Sequence, residues 1–320
     1  MPQTVNGMTV CDMSLLKKPS SSALIATVSI TPSLNLCHKP FLATLLFLTL
    51  LVNGCASVPY HYGKDDEYIP PVTTPEKLHI EEGRPNKFID TLGWIFGIPS
   101  KIILWDRRVD NHEISEDTRK AIEDYLDSNE LYTVKVRLNQ YAPGNEFSRT
   151  VHNSSVGAGW KYTVGMLSWL FYTILPQRVI GGDNYNPFSN TINLYSDVSA
   201  IAVHEGAHAK DFAGRKYKGT YAAAYVFIPF FPLYSEAISS NDAISYLRAD
   251  GTATEQKEGY KILYPAYGTY VGASVAPFLN SPWNILAPAL GAIPGHIIGS
   301  VKASEIHQDG YNMVDTSKPE

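Results

Sequence analysis

The run HEGAH at residues 204–208 constrains this chain more than any other feature, because it places two histidines four residues apart. Residues 198–203 are mostly apolar and favour a helix, for which Ser196 or Asp197 is the expected N-cap. Positions four apart lie on one helical face, so both imidazoles can bind a single metal ion. The small residues between the histidines predict that another helix packs closely against this one.

A metal ion held by this helix needs further ligands, since catalytic zinc usually has three protein ligands and one open position. Metzincins place a ligand six residues after the second histidine, and Gly214 at that position excludes them. Glu236 lies 28 residues after His208, on a helix predicted over Ser235–Leu247. We expect the two helices to face each other with Glu236 as the third ligand. The alternative is an ordinary first-turn glutamate favoured by the helix dipole.

The HEGAH run followed by a glutamate on the next helix resembles the gluzincins, the thermolysin-like zinc peptidases, over residues 190–247. The resemblance implies an α+β, mainly helical fold, with a zincin-like core, a short mixed sheet and an HExxH active-site helix. It implies Zn²⁺ bound by His204, His208 and Glu236, with a protein or peptide as substrate. Glu205 would then be the general base that acts on a zinc-activated water to hydrolyse a peptide bond.

Metal-bound histidines normally donate their second ring N–H to a carboxylate or a carbonyl. Asp211, Asn241 and Asp242 are the nearby candidates for this role. Gluzincins often place an aspartate four residues after the ligand glutamate, and Ser240 stands at that position here.

The segment Asn190–Tyr195 reads as a strand just before the HEGAH helix. Zincins have a strand at the cleft edge that binds extended substrate, and the alternative is a plain core strand. Thr133–Leu138 alternates and predicts a half-buried strand, and Ser115 opens a polar helix to about Asp127. Four side chains are candidates for polarising a substrate carbonyl: Tyr221, Tyr225, Tyr246 and His152.

The N-terminal part of the chain carries an export pattern. A positive charge, the apolar run Phe41–Val52 and the pair Gly54-Cys55 resemble a bacterial lipoprotein signal, which implies a lipid on Cys55. Ala56 resembles lipoproteins sent to the outer membrane, so we expect the protein to be lipid-anchored in the envelope and to face the periplasm. The alternatives are an uncleaved anchor or a plain core segment. A net charge of −5 without a basic run argues against a nucleic-acid partner.

The C-terminal region is nearly uncharged and rich in Gly, Ala and Pro. Glycines four apart allow close helix packing, while four prolines (Pro277, Pro282, Pro288, Pro294) predict pieces too short to span a bilayer. We therefore expect a buried or membrane-resting hairpin. A competing hypothesis is a non-enzymatic envelope lipoprotein that associates through this region, by way of Gly295 or Gly299.

The predicted organisation follows from these patterns: a disordered leader and signal peptide (1–54), the lipidated cysteine with a flexible tether (55–86), a zincin-like metallopeptidase domain (87–263), the apolar region packed on the domain or the membrane (264–304) and a polar tail (305–320).

Overall fold

The computed structural model describes residues 60–63, 79–174 and 177–306. The expected leader, the signal peptide, Cys55 and most of the polar tail lie outside the described residues. Within them the chain is mainly helical with a small four-stranded mixed sheet, which confirms the α+β expectation.

The helices are α1 Lys87–Phe96, α2 Ile98–Leu104, α3 Glu116–Ser128, α4 Pro143–His152, α5 Ala158–Trp160, α6 Met166–Ile174, α7 Gln177–Ile180, α8 Ser199–Ala213, α9 Lys218–Phe227, α10 Phe231–Asp250, α11 Ala253–Val275 and α12 Trp283–Ser304. A π-helical turn, Lys161–Gly165, joins α5 to α6, and a 3₁₀ turn, Ala276–Phe278, follows α11. The predicted polar helix after Ser115 is confirmed as α3, with the Ser115 side chain accepting a hydrogen bond from the Thr118 N–H.

Four strands form the sheet: β1 His79–Glu82, β2 Lys135–Leu138, β3 Asn184–Asn186 and β4 Thr191–Leu194. Their order is β1-β2-β4-β3, with β3 antiparallel to β4 and the other pairs parallel. The predicted strand at 190–195 is therefore β4, and it is paired on both sides. The interpretation of this segment as a cleft-edge strand is wrong, since β3 forms that edge of the sheet.

Strand β2 is more deeply buried than its alternating sequence indicates. All four of its residues are buried, and Arg137 is only 1% exposed. Its guanidinium donates from Nε to Glu146 Oε1 at 2.8 Å and also pairs with Glu81. The expected solvent face is thus covered by α4, and ion pairs compensate the buried charge.

Helix α8, which carries both histidines, lies at the centre of the core. It packs against α3, α10 and α11. A Cβ at Gly206 would lie 2.5 Å from the Tyr125 ring of α3, so only a glycine permits this helix spacing. The prediction that small residues here admit a close helix is confirmed.

The expected N-cap of α8 is wrong. Val198 occupies the cap position and makes no side-chain cap bond. Asp197 instead accepts hydrogen bonds at Oδ1 from the Ser115 hydroxyl (2.5 Å) and the Thr118 hydroxyl (2.7 Å). Ser196 donates its hydroxyl to Asp183. Both side chains are therefore committed to neighbouring elements and cannot cap α8.

Helices α11 and α12 form an antiparallel hairpin in which glycines meet backbone. A Cβ on Gly268 would overlap the Gly291 carbonyl, and one on Gly295 would overlap Pro265. The hairpin itself is confirmed, while its contact with a membrane stays a prediction. The expected breaks at Pro288 and Pro294 are wrong, because both prolines lie inside α12. At 22 residues, α12 is long and apolar enough to cross a membrane by length and composition.

Parts of the expected tether 55–86 are built into the domain. His79–Glu82 is strand β1, and the Tyr60 hydroxyl donates to Asn129 Oδ1 at 2.7 Å. The Tyr60 ring packs edge-on against Tyr246 with its centroid 5.4 Å away, and the Lys210 ammonium lies 4.2 Å above it. These contacts correct the tether interpretation at both segments.

Candidate metal centre

Three potential ligand atoms converge between α8 and α10. His204 Nε2 lies 3.1 Å from Glu236 Oε2 and 3.1 Å from His208 Nε2. His208 Nε2 lies 3.4 Å from Glu236 Oε1. The ligand atoms of this group all lie within 4.8 Å of one another, a spacing suited to one ion. The structure thus brings together the three residues that the sequence indicated as ligands.

Glu236 reaches this position from the second turn of α10. It is the sixth residue of the helix, which begins at Phe231, so it lies beyond the first turn where the dipole would favour it. Its side chain is buried, and burial raises its pKa. The contacts with His208 and His204 outweigh that effect and hold the pKa of Glu236 below its ordinary value.

Serine hydroxyls hold the outer ring nitrogens of both histidines. Ser239 Oγ lies 2.9 Å from His208 Nδ1, and Ser240 Oγ lies 3.4 Å from His204 Nδ1. Ser240 is the residue at the position where gluzincins often place an aspartate. A short side chain suffices because α8 and α10 pack closely, so each imidazole can keep Nε2 directed at the site.

None of the three residues expected to contact the outer ring nitrogens of the histidines makes such a hydrogen bond within the described residues, which corrects that prediction. Asp211 pairs with Arg215 on the same helix. Asp242 accepts a hydrogen bond from the Tyr125 hydroxyl at 2.5 Å. Asn241 Oδ1 is buried and has no hydrogen-bond partner within the described ranges.

Two tyrosines lie against Glu236. The Tyr225 hydroxyl donates to Glu236 Oε1 at 2.9 Å. Tyr270, on α11, is half-buried near the same carboxylate, whose charge together with the partial burial holds the pKa of Tyr270 well above the ordinary value. Tyr270 could not be singled out from the sequence, because one tyrosine among twenty in an apolar stretch carries no distinguishing pattern.

The other candidates for polarising a carbonyl are engaged elsewhere. The Tyr221 hydroxyl donates to Asp211 at 2.5 Å, and His152 Nδ1 lies 2.7 Å from the Ser148 carbonyl oxygen on α4. The Tyr246 ring packs edge-on against Tyr125. Of the four candidates, Tyr225 is the one whose hydroxyl contacts a residue of the centre.

Glu205 is buried on α8, between the two histidines in sequence. Burial raises its pKa to about 8, with a further contribution from the charges of Glu236 and Asp183, while His204 and a backbone hydrogen bond from Tyr185 lower it. A carboxyl group whose pKa lies near neutrality can both accept and release a proton, which general acid–base chemistry requires.

Comparison of the chain with protein-family models, with characterised proteins and with solved structures gives no match. The donor set is therefore judged on its own chemistry. Two imidazole nitrogens and one carboxylate oxygen form a ligand set that zinc takes in catalytic sites, with a fourth position left for water. The residues present fit that ion.

Proposed function

We propose that this protein is a zinc-dependent metallopeptidase with a zincin-like core. The observation that carries the proposal is the convergence of His204, His208 and Glu236 within 4.8 Å, with Glu205 on the same helix as both histidines. The proposed substrate is a protein or peptide. Zinc, when bound, would supply Lewis-acid activation of a water molecule.

The residues of the centre have distinct roles in this proposal. Glu205 accepts the proton of the attacking water and passes it to the leaving amine. Tyr225 positions Glu236 through its hydrogen bond of 2.9 Å. Ser239 and Ser240 fix the orientation of the two imidazoles.

The proposed location is the bacterial envelope, with a lipid on Cys55 and the domain in the periplasm at the outer membrane. The pattern that supports it is the apolar run ending in Gly54-Cys55. The competing hypothesis of association through Gly295 or Gly299 has less support, because both glycines face α11 of the same chain.

The test combines zinc content with peptide hydrolysis by the purified full chain. We expect about one zinc per chain in the wild type, and loss of the metal in His204→Ala and Glu236→Ala. Glu205→Gln should keep the zinc while its kcat falls by about 10²–10⁴-fold, because the proton acceptor is removed.

Glu123→Gln is the matched control, since this glutamate is exposed on α3 and should leave both quantities unchanged. Full hydrolysis by Glu205→Gln would contradict the proposed mechanism. A wild-type chain that stays metal-free when zinc is supplied would contradict the metal centre.

A further inference from the structure

Two long segments around the metal centre carry no formal charge. Residues 219–235 and 262–301 contain no Asp, Glu, Lys or Arg. The first segment contains the turn between α9 and α10, and the second contains most of the α11–α12 hairpin. A folded domain normally places charged residues on its exposed surface. The absence of charge from the exposed parts of these two segments indicates that they contact something other than water.

The outer side of α12 is a continuous apolar stripe. Its members are spaced four, three, four and four residues apart, which puts them on one helical face. Each is between 43% and 62% exposed. The stripe consists of Leu286, Leu290, Ile293, Ile297 and Val301.

The stripe continues into two neighbouring turns. Helices α9 and α10 meet at 117°, and Phe230 in their connection stacks on Phe278 of the α11–α12 turn, with ring centroids 6.3 Å apart. Both phenylalanines are exposed, as are Phe227, Ile228 and Trp283. Further along α12, Trp105 at the end of α2 stacks on His296 at 3.8 Å and is 73% exposed.

We name this surface the apolar face: the stripe of α12, the two turns and the end of α2. The metal centre lies close to it. Tyr225 donates to Glu236 from a position two residues before Phe227. Tyr270 lies five residues before α11 ends, near enough to the same carboxylate for its charge to raise the tyrosine's pKa. A molecule bound at the α9–α10 and α11–α12 turns would therefore lie next to the metal centre.

We propose that the apolar face inserts into one leaflet of a lipid bilayer, so that the metal centre receives polypeptide lying in or emerging from the membrane. The part concerning substrate rests on the proposed peptidase function, whereas insertion does not. A bilayer suits this surface better than a protein partner, because protein interfaces carry Arg and a polar rim among their apolar residues.

The dimensions and the borders of the face agree with shallow insertion. The stripe runs over 16 residues from Leu286 to Val301, a rise of about 22 Å. This is too short to cross the roughly 30 Å of hydrocarbon in a bilayer and longer than one leaflet, so α12 fits one leaflet when it is tilted towards the membrane plane. Trp283 and Trp105 lie along it, and tryptophan is favoured at the boundary between lipid and water. The ion pairs Arg108–Glu258 and Lys302–Glu305 mark the end of the hairpin that remains in water.

Tryptophan fluorescence tests insertion directly. The full chain is reconstituted into phosphatidylcholine vesicles whose acyl chains carry bromine, which quenches only tryptophans in contact with lipid. We expect the fluorescence of the double variant Trp105→Phe/Trp283→Phe to be quenched at least threefold less than that of the wild type. Trp169→Phe is the matched control, because that indole is partly buried and donates to the Pro143 carbonyl at 2.8 Å.

Quenching that is equal in the double variant and the wild type would overturn the proposal. Because the net charge is −5 and insertion is apolar, quenching should persist in high salt and without anionic lipid. A chain that is unquenched by lipid but dimeric, and becomes monomeric as Ile293→Glu/Ile297→Glu, would show that a second copy covers the face instead.

A second measurement addresses the substrate. The same fluorogenic peptides are offered free in solution and attached to vesicles by a palmitoyl chain. The variant Ile293→Glu/Ile297→Glu should keep its zinc and hydrolyse free peptide at the wild-type rate. Its rate of hydrolysis of the vesicle-attached peptide should fall at least tenfold. Lys120→Glu on α3 controls for the added negative charge.

Glu205→Gln separates the two proposals. It should lose hydrolysis of both forms of peptide while its lipid quenching stays at the wild-type level. If the Ile293→Glu/Ile297→Glu variant loses hydrolysis of free and attached peptide equally, the proposal that substrate reaches the metal centre from the membrane is refuted. Absence of any hydrolysis by the wild type would refute the peptidase function and leave the quenching result to decide insertion.

Discussion

At the residue scale, the hydroxyls of Ser239 and Ser240 contact the outer nitrogens of the imidazoles in the candidate metal centre at 2.9 Å and 3.4 Å. Partners of this kind fix ring orientation and tautomer, and their loss typically weakens metal affinity by about 10–100-fold. We expect Ser239→Ala/Ser240→Ala to weaken zinc binding by that factor in a competition titration with a chelating dye.

Ser245→Ala serves as the control for this experiment. Ser245 is buried on the same helix, and its hydroxyl has no hydrogen-bond partner in the part of the chain that the structure describes. Zinc affinity should therefore be unchanged. Equal weakening in the control and the double variant would indicate a general effect on α10 rather than on the imidazoles.

Asp110 gives a pH-dependent prediction. Burial, with a contribution from the nearby Asp183 charge, raises its pKa from 3.8 to about 7. The folded protein thus binds this proton more tightly than the unfolded chain, so the free energy of unfolding falls as pH rises from about 4 to 7. Asp110→Asn carries no charge, and we expect it to be more stable than the wild type at pH 8 but not at pH 5.

Urea unfolding at the two pH values measures this difference. The exposed Asp127→Asn variant should follow the wild type at both. If Asp110→Asn also loses stability between pH 5 and pH 8 by the wild-type amount, Asp110 is not the group that holds the proton.

At the element scale, α11 and α12 pack closely because glycines without side chains lie at their contact. A Cβ at Gly268 would overlap the backbone of Gly291, and backbone cannot rotate away. We expect Gly268→Ala to lower the free energy of unfolding by about 1–3 kcal/mol, the usual cost of overpacking. Thermal unfolding monitored by circular dichroism measures this change.

Gly144→Ala is the comparison for that variant. Gly144 lies in α4, and a Cβ there would meet nothing within 4 Å, so the substitution should be neutral or stabilise by up to about 1 kcal/mol. If both variants behave alike, close packing of the hairpin does not contribute to stability.

Elements with a strong local pattern were predictable from the sequence. The Ser115 cap and the apolar positions of 198–213 define α3 and α8, and HEGAH with a later glutamate locates the three ligand candidates. Features that depend on tertiary packing were not. Pro288 and Pro294 lie inside α12, a helix packed along its length against α11.

The outer contacts of the histidines illustrate the same limit. Serines can reach the imidazoles only at the short distance between α8 and α10, and no local pattern encodes that distance. The nearby carboxylates Asp211 and Asp242 therefore matched the sequence expectation, but they pair with Arg215 and with Lys210.

At the scale of the whole molecule, a short segment before the sheet lies against the residues of α3, α8 and α10. Tyr60 contacts Asn129, Tyr246 and Lys210 there. We expect Tyr60→Ala to lower the free energy of unfolding by about 1–3 kcal/mol, since it removes aromatic packing and a hydrogen bond. Urea unfolding measures the loss.

The variant Tyr217→Ala removes a tyrosine that is 72% exposed and should leave the unfolding midpoint nearly unchanged. A Tyr60→Ala midpoint equal to that of the wild type would mean that the segment does not hold to the domain in solution.

In a chain that carries its lipid on Cys55, the contacts of Tyr60 with the domain also limit how far the domain can move from the membrane surface. The two positions are five residues apart, and even a fully extended chain between them reaches only about 18 Å. Such a protein samples a thin layer of water above the bilayer rather than the depth of the periplasm. Polypeptides that come to the lipid surface would meet it at high local concentration, and those that stay in solution would rarely meet it.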